Sequence, residues 1–95
     1  LIDVIKVENF CGDEAVGREL VLVKVNADSQ TRSEITQICD VFRGKIIDVA
    51  PKSLIIEVTG NDNKIKAFLS LLESFGVSEL ARTGTACLRR GFLEN

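Results

Sequence analysis

The chain has 95 residues, 45% of them hydrophobic, and a formal net charge of −2. This length and hydrophobic fraction favour one globular domain and argue against disorder. A nucleic-acid partner is disfavoured because the 12 basic residues are scattered along the chain, and no apolar run approaches the roughly 20 residues of a membrane span.

Three segments open the chain. Residues 1–7 alternate loosely between apolar and polar, which predicts a short leading strand. Residues 8–17 combine glycines with several acids, which is typical of a loop. A strand then runs from Arg18 to about Ala27, and because it is apolar on both faces we expect it at the centre of a sheet. Its faces are Val21, Val23 and Val25 on one side, and Leu20 and Leu22 on the other.

The next segment has the period of an amphipathic helix. Asp28 or Ser29 is a candidate N-cap, and Thr31 with Glu34 is a candidate capping box. Gly44 is predicted to be the C′ residue that ends the helix. The apolar face consists of Ile35, Ile38, Cys39 and Phe42.

A hairpin follows the first helix. Lys45–Ala50 and Ser53–Thr59 are predicted strands, rich in the β-branched residues that suit a sheet. The Pro51-Lys52 pair between them predicts a turn, because proline presets the first central position.

The last third of the chain repeats the helix–strand pattern. Gly60-Asn61-Asp62 caps a second predicted helix, and Gly76 ends it. A fourth strand is predicted from Val77 to about Leu88, with Gly84 as a bulge or a point of close backbone approach. Residues 89–95 are expected to be a frayed tail. The apolar helix face consists of Ile65, Phe68, Leu69 and Leu72.

The order strand, helix, strand, strand, helix, strand predicts an α+β fold, a ferredoxin-like βαββαβ sandwich in a single domain over residues 1–95. Both helices would cover one face of a four-stranded antiparallel sheet with the first and third strands central, and residues 1–7 would add an N-terminal strand. The other face has no cover, and an uncovered apolar patch usually marks an interface; scattered surface aliphatic residues are the alternative. The expected interface residues are Leu20, Leu22 and Ile55, beside Lys24 and Glu57.

Sequence signatures of catalysis are missing. The chain has no histidine, which excludes Ser-His-Asp and Cys-His arrangements. It has no metalloprotease, phosphate-loop or dinucleotide-binding motif. The acids on the predicted strands are interpreted as solvated or ion-paired rather than as an acid–base pair. These acids are Glu19, Asp48, Glu57 and Glu79.

The three cysteines lie far apart in the sequence. Cys11, Cys39 and Cys87 are odd in number and lack CxxC spacing, so neither a disulfide framework nor a metal pair is expected. Cys39 lies on the apolar helix face, where a buried thiol acts as a small hydrophobic side chain. This usage favours a reducing compartment.

Two other binding functions occur on this fold. RNA recognition needs aromatic side chains on the central strands, whereas residues 53–59 have none and the chain lacks Tyr and Trp. A free-standing small-molecule sensor of the ACT type is the alternative that stays open. ACT domains, which the predicted topology resembles, typically hold an amino acid near a Pro-Gly-type turn after the first strand, and residues 26–31 contain neither Gly nor Pro.

One ordered set of motifs covers nearly the whole chain. Its pieces are Arg18-Glu19-Leu20 with Leu22, Lys24 and Val25; Phe42–Val49; Ile56–Gly60; Phe75–Val77; and Ala81–Gly84 running to Arg90-Gly91. Together they resemble the small, regulatory subunit of acetolactate synthase, also called acetohydroxyacid synthase. The resemblance falls on the C-terminal half of that subunit, so it implies that the N-terminal ACT half, where the family binds valine or a related amino acid, is absent.

The resemblance implies a non-catalytic role. The family's small subunit stimulates a thiamine-diphosphate-dependent catalytic subunit and confers feedback inhibition in branched-chain amino acid biosynthesis. Thiamine diphosphate, Mg²⁺ and FAD are then expected on the catalytic subunit, and no cofactor on this chain. The implied partners are the catalytic subunit, the ACT half and further copies of the chain, without nucleic acid or membrane. The implied location is the cytoplasm, or a plastid or mitochondrion in a eukaryote.

Within the resemblance, Arg82-Thr83-Gly84 is a candidate contact surface. Arg82 offers a planar fork of donors to a carboxylate or carbonyl of a partner. A surface ion pair between Arg82 and an acid such as Glu57 or Glu79 is the alternative. Thr83 suits a strand, whereas Gly84 weakens one unless a bulge or a close backbone approach requires it.

Overall fold

The computed structural model of the protein describes residues 14–91. The predicted leading strand at residues 1–7, Cys11 and the end of the predicted tail lie outside this range. The elements in chain order are β1 (Ala15–Asn26), α1 (Arg32–Val41), β2 (Lys45–Ala50), β3 (Ser53–Gly60), α2 (Asp62–Leu72), a 3₁₀ turn (Glu73–Phe75), β4 (Val77–Arg82) and β5 (Ala86–Arg89).

The strands form an antiparallel sheet in the order β2-β3-β1-β4. β1 pairs with β3 over residues 19–26 and with β4 over residues 21–25. β2 and β3 form the predicted hairpin. The predicted ferredoxin-like sandwich, with the first and third strands at its centre, is therefore confirmed.

Three predicted boundaries are wrong, at the start of β1 and in the strands that pair with it. The strand begins at Ala15, inside the predicted loop, because residues 15–18 pair with β5. The predicted fourth strand is two strands, β4 and β5, separated by Thr83–Thr85. Gly84 in this gap has a φ of +86°, which glycine adopts far more readily than other residues. The tail begins later than expected, since Arg89 still pairs with Ala15.

The core lies between the two helices and one face of the sheet. Val21 and Val23 are 0% exposed, whereas Leu22 between them is 39% exposed, as the period of two along a strand requires. Phe68 packs against Phe42 with ring centroids 5.3 Å apart and planes at 60°, an arrangement that aromatic pairs favour. The other fully buried large side chains are Val25, Ile35, Leu54, Ile56, Val58, Ile65 and Leu72.

The cysteines in the described residues are of two kinds. Cys39 of α1 is a buried free thiol, as predicted. Burial raises the pKa of the Cys39 thiol, so the reactive thiolate is disfavoured. Cys87 of β5 is disulfide-bonded, contrary to the expectation that the cysteines form no disulfide framework. Cysteine usage therefore no longer favours a reducing compartment.

The predicted capping box of α1 is wrong, whereas the predicted N-cap of α2 is correct. Asp28 Oδ1 accepts the backbone N–H groups of Gln30 and Thr31, each at 2.8 Å, and Thr31 Oγ1 in return accepts the Asp28 N–H at 3.0 Å. This reciprocal pair forms a capping box one turn before the predicted one. The box predicted for Thr31 and Glu34 is wrong, because Thr31 makes no side-chain cap bond to α1. Asn61 caps α2 as predicted.

At the end of α1 the left-handed C′ residue is Arg43 and not Gly44, which corrects the prediction. Arg43 has a φ of +59°. Its N–H donates to the Asp40 carbonyl at 3.0 Å, and the Gly44 N–H donates to the Cys39 carbonyl at 2.8 Å, the two bonds of a Schellman motif. Gly44 is needed for close packing instead, because a Cβ there would lie 3.1 Å from the Glu57 carbonyl oxygen and 3.2 Å from Cys39 Sγ.

We expect Arg43→Gly to stabilise the protein by about 0.5–1 kcal/mol. A left-handed non-glycine residue costs about 1–2 kcal/mol, and the extra freedom of glycine in the unfolded chain offsets about 0.5–1 kcal/mol of the gain. Gly44→Ala should destabilise it by about 1–3 kcal/mol through overpacking. Denaturant unfolding measures both changes. The reverse ranking would show that Gly44, and not Arg43, carries the left-handed conformation.

Candidate functional site

The face of the sheet opposite the helices is formed by alternate side chains of the central strands. Residues at even positions of β1 project away from the core, and their cross-strand neighbours on β3 and β4 project the same way. We call this surface the open face. It consists of Leu20, Leu22, Lys24, Ile55, Glu57, Thr59, Glu79 and Ala81.

The open face mixes apolar and charged side chains. Leu22 lies opposite Glu57 and Lys24 lies opposite Ile55, so Leu22 and Ile55 are diagonal neighbours. The Lys24 ammonium is 3.5 Å from Glu79 Oε2 across to β4, with the Glu79 side chain 73% exposed. Such an exposed pair contributes about 0–1 kcal/mol. Apolar and charged side chains are thus interleaved on this face.

One end of the open face is shaped by the break between β4 and β5. The Thr83 N–H donates to the Leu20 carbonyl at 3.1 Å, and Thr83 Oγ1 accepts the Leu20 N–H at 3.1 Å. A side-chain oxygen thus replaces the carbonyl that a continuous strand would supply. Gly84 then turns its N–H toward Glu19 Oε2, at 3.1 Å. The close backbone approach that the sequence suggested for Gly84 is therefore observed, although as a break and not as a bulge in one strand.

A buried carboxylate holds this break in place. Glu19 lies on the core side of β1 and is 5% exposed. Arg82 Nε donates to its Oε2 at 3.0 Å, and Arg82 Nη2 donates to its Oε1 at 2.6 Å. This bidentate geometry is the strongest form of an Arg–carboxylate pair. The acid that pairs with Arg82 is therefore Glu19, and the sequence-based suggestion of Glu57 or Glu79 is wrong.

The ion pair changes the titration of Glu19. The hydrogen bonds from Arg82, its positive charge and the Gly84 N–H lower the pKa of the Glu19 carboxyl, and they outweigh burial, which acts in the opposite direction. Glu19 is thus ionised at neutral pH despite its burial. A charge-paired, hydrogen-bonded carboxylate fixes geometry rather than acting as a general base, whose pKa would lie near the working pH.

A cleft of about 420 Å³ opens on the open face at the strand break. Arg18 and Ala86 lie opposite each other across β1 and β5, and Leu20 lies opposite Thr59 across β1 and β3, so these four side chains share the open-face side. The cleft is lined by Arg18, Glu19, Leu20, Thr59, Thr83, Gly84, Thr85 and Ala86.

The structure separates the predicted site residues into three groups. Leu20, Thr83 and Gly84 line the cleft, and Leu22 and Ile55 continue the open face beside it. Arg82 lies at a core-side position opposite Val21 and reaches the cleft only through Glu19. The sequence-based site missed five lining residues, and the period of two along β1 was the signal that could have found the first of them. The five are Arg18, Glu19, Thr59, Thr85 and Ala86.

Residues 14–91 contain neither a metal-binding cluster nor a membrane-spanning helix. No group of three or more Cys, Asp or Glu side chains in this range is arranged to hold a metal ion. None of the helices in the same range is long and apolar enough to cross a membrane.

Comparison with known proteins gives one consistent family. Residues 18–91 match a family model described as the small subunit of acetolactate synthase. The chain is 54% identical over 92 residues to a probable acetolactate synthase small subunit of Methanothermobacter thermautotrophicus. It is 52% identical over 90 residues to the chloroplastic acetolactate synthase small subunit 2 of Arabidopsis thaliana. The crystal structure of the small subunit from Thermotoga maritima superposes with a TM-score of 0.78 at 43% sequence identity.

These matches cover the chain more completely than they cover the relatives. The alignments take in 96% of this chain but 55% of the Methanothermobacter protein, and 95% of this chain but 19% of the Arabidopsis protein. The structural match covers 85% of this chain and 50% of the Thermotoga chain. The chain therefore spans about half the length of the prokaryotic relatives.

We expect Glu19→Gln to destabilise the protein by about 1–2 kcal/mol at pH 7, because the charge-assisted hydrogen bonds from the partly exposed Arg82 are weakened. Folding lowers the pKa of Glu19 from its ordinary value of 4.5. The contribution of the pair is therefore complete above pH 4.5 and is lost as the pH falls through the lower pKa of the folded state.

The stability difference between the wild type and Glu19→Gln should accordingly shrink as the pH falls below 4.5. Denaturant unfolding of both proteins between pH 7 and pH 3 measures it. A difference that stays constant over this range would mean that the Glu19 carboxylate is not held by Arg82 in solution.

Proposed function

The chain belongs to the small-subunit family of acetolactate synthase, and from this premise we propose that it is a non-catalytic domain that binds and stimulates the catalytic subunit in branched-chain amino acid biosynthesis. The observation that carries this proposal is the open face. It places Leu20, Leu22 and Ile55 side by side on the two central strands, where they are accessible to a partner. A contiguous surface of this kind usually serves an interaction.

Stimulation requires unequal binding. A regulatory domain shifts its partner toward the active form only if it binds that form more tightly than the inactive one, and a tenfold shift needs about 1.4 kcal/mol of difference. The open face suits this role because its residues alternate with core residues on the same strands. Leu22, for example, lies between Val21 and Val23, which are fully buried. The surface is therefore fixed to the core, and a change in the partner alters its fit to the whole domain.

The chemistry is proposed to reside on the catalytic subunit, together with thiamine diphosphate, Mg²⁺ and FAD. The absence of histidine from the sequence supports this division of labour, as does the structural use of Glu19, the buried acid of the cleft. The proposed location is the cytoplasm or a plastid, in keeping with the chloroplastic relative.

A free-standing amino-acid sensor is the weaker reading of the same fold. ACT domains would hold their ligand at the loop between β1 and α1. Here the backbone N–H groups of Gln30 and Thr31 are already bonded to Asp28 Oδ1. An amino-acid carboxylate would have to displace that capping interaction before it reached the same donors.

We expect Leu22→Asp to weaken the affinity of the small subunit for the catalytic subunit at least about tenfold, because a carboxylate would be buried without a partner in the interface. Reconstitution of the two subunits, with titration of acetolactate formation, measures the affinity. Val41→Asp is the matched control, because Val41 is 76% exposed at the end of α1, on the helix side. If Leu22→Asp stimulates like the wild type, the open face does not contact the catalytic subunit.

Sedimentation of the small subunit alone addresses the expected homo-oligomer. If the open face also joins two copies, Leu22→Asp should shift the subunit toward monomer while Val41→Asp does not. An unchanged assembly in the Leu22→Asp variant would place any contact between copies elsewhere.

We expect that valine, leucine and isoleucine do not stabilise the 95-residue chain, since the β1–α1 loop offers them no unbonded donors at Gln30 and Thr31. A ligand at 100 times its Kd that binds only the native state would add about 2.7 kcal/mol. Thermal unfolding with and without millimolar valine is the measurement. A clear rise in Tm with valine would contradict the expectation and revive the sensor reading.

A further inference from the structure

The cleft beside the strand break contains a buried charged side chain, which is energetically unfavourable in itself. Glu19 is an ionised side chain that is nearly buried, and burying an ion pair seldom stabilises a fold more than apolar side chains would. What the pair does provide is position: Arg82 orients the carboxylate, and the carboxylate orients the Gly84 N–H at 3.1 Å. The wall of the cleft that contains Thr83–Thr85 is held at a fixed distance from β1 as a result.

Among the described residues, the charge balance of the cleft is positive. Glu19 is the acid among the lining residues, and Arg82 neutralises it from the core side. Arg18 is the cation among the lining residues, and it is exposed. In the described part of the chain its guanidinium makes one hydrogen bond, from Nη1 to the Gly17 carbonyl at 2.8 Å. The guanidinium has five N–H donors, so most of its capacity is available to a ligand.

The walls around Arg18 are suited to a short aliphatic stem that ends in an oxygen acceptor. Leu20, Ala86 and the threonine methyl groups supply apolar contact. Thr59 and Thr85 add hydroxyl groups at the same site. A carboxylate is the group that an arginine fork binds best, in the bidentate manner already seen between Arg82 and Glu19.

We propose that this cleft receives an acidic side chain of the catalytic subunit, an aspartate or glutamate, with Arg18 as its ion-pair partner. This inference rests on the proposed function, because the cleft is continuous with the open face through Leu20 and Thr59. A side chain is favoured over a free carboxylate for a physical reason. The cleft is open to solvent, and a group delivered by an already docked protein loses no further translational freedom on entering it.

The test compares variants of Arg18 in the full-length small subunit, titrated against the catalytic subunit. Arg18→Gln should weaken binding about tenfold and Arg18→Glu about a hundredfold, since a charge-assisted hydrogen bond is lost in the first and a repulsion is added in the second. The wild type should also lose affinity with added salt more steeply than Arg18→Gln does. Arg89→Glu is the matched control, because Arg89 is exposed on the same strand pair but lies opposite Ala15, on the other face.

A charge-reversal rescue identifies the partner group. Acidic residues of the catalytic subunit are replaced by arginine one at a time. Replacement of the acid that enters the cleft should restore the affinity of the Arg18→Glu variant, and replacement of any other acid should not. If Arg18→Glu binds within twofold of the wild type while Leu22→Asp does not bind, the cleft assignment is overturned and the proposed function stands. If neither variant changes binding, the open face itself is not the interface.

Sodium propionate serves as the probe for a free carboxylate. Propionate is expected to leave the Tm of the small subunit unchanged at millimolar concentration. A rise in Tm that disappears in Arg18→Gln would show that the cleft binds a free carboxylate, and would overturn the assignment to a side chain of the partner.

Discussion

The geometry of the cleft and of the strand break beside it depends on Glu19. Glu19 sits where the helix-facing side of β1 would otherwise carry an apolar side chain, in register with Val21 and Val23. Its two oxygens accept three hydrogen bonds, two from Arg82 at the end of β4 and one from Gly84 in the gap before β5. One carboxylate therefore joins β1 to the end of β4 and to the gap that follows it, 63 and 65 residues further along the chain. The bonds between Thr83 and Leu20 position the first residue of the gap, and the bond from Gly84 to Glu19 positions the turn that follows.

The large-scale order of the fold could be predicted because it follows from periodicity. The apolar residues on both faces of β1 indicated a central strand, and the apolar spacing around Phe68 indicated a core-facing helix. The break between β4 and β5 could not be predicted in the same way. Arg82-Thr83-Gly84 satisfies the same residue preferences as a continuous strand with a bulge, and the difference depends on a carboxylate supplied from the other end of the chain. Long-range polar contacts of this kind leave no periodic signal.

The ends of α1 were predicted to within one turn of the helix, and local steric contacts and side-chain hydrogen bonds decide which residue takes each role. The sequence indicated that α1 ends near Gly44, and it does, but Arg43 takes the left-handed conformation. Both a left-handed φ and close packing favour glycine, so the sequence alone could not tell which of them Gly44 serves. Gly44 is required where a Cβ would collide with the Glu57 carbonyl and Cys39 Sγ. The left-handed conformation is therefore taken by the preceding residue, Arg43. Likewise Asp28 and Thr31 form their own capping box before Glu34 can take part in one.

One part of the candidate site could be predicted from the sequence and the other part could not. Leu20, Leu22 and Ile55 were identifiable as an exposed apolar set because their positions follow from strand register. The cleft beside them was not identifiable, because it is formed by a gap in the sheet and by the side chains that the gap exposes. A domain that regulates by unequal binding needs a surface whose shape does not relax when the partner changes form. The Glu19–Arg82 pair, in which the carboxylate is buried and the guanidinium is partly exposed, provides that rigidity at the break between β4 and β5. In physical terms, the ion pair and the Gly84 hydrogen bond hold the chain in place where the pairing of β4 with β1 ends.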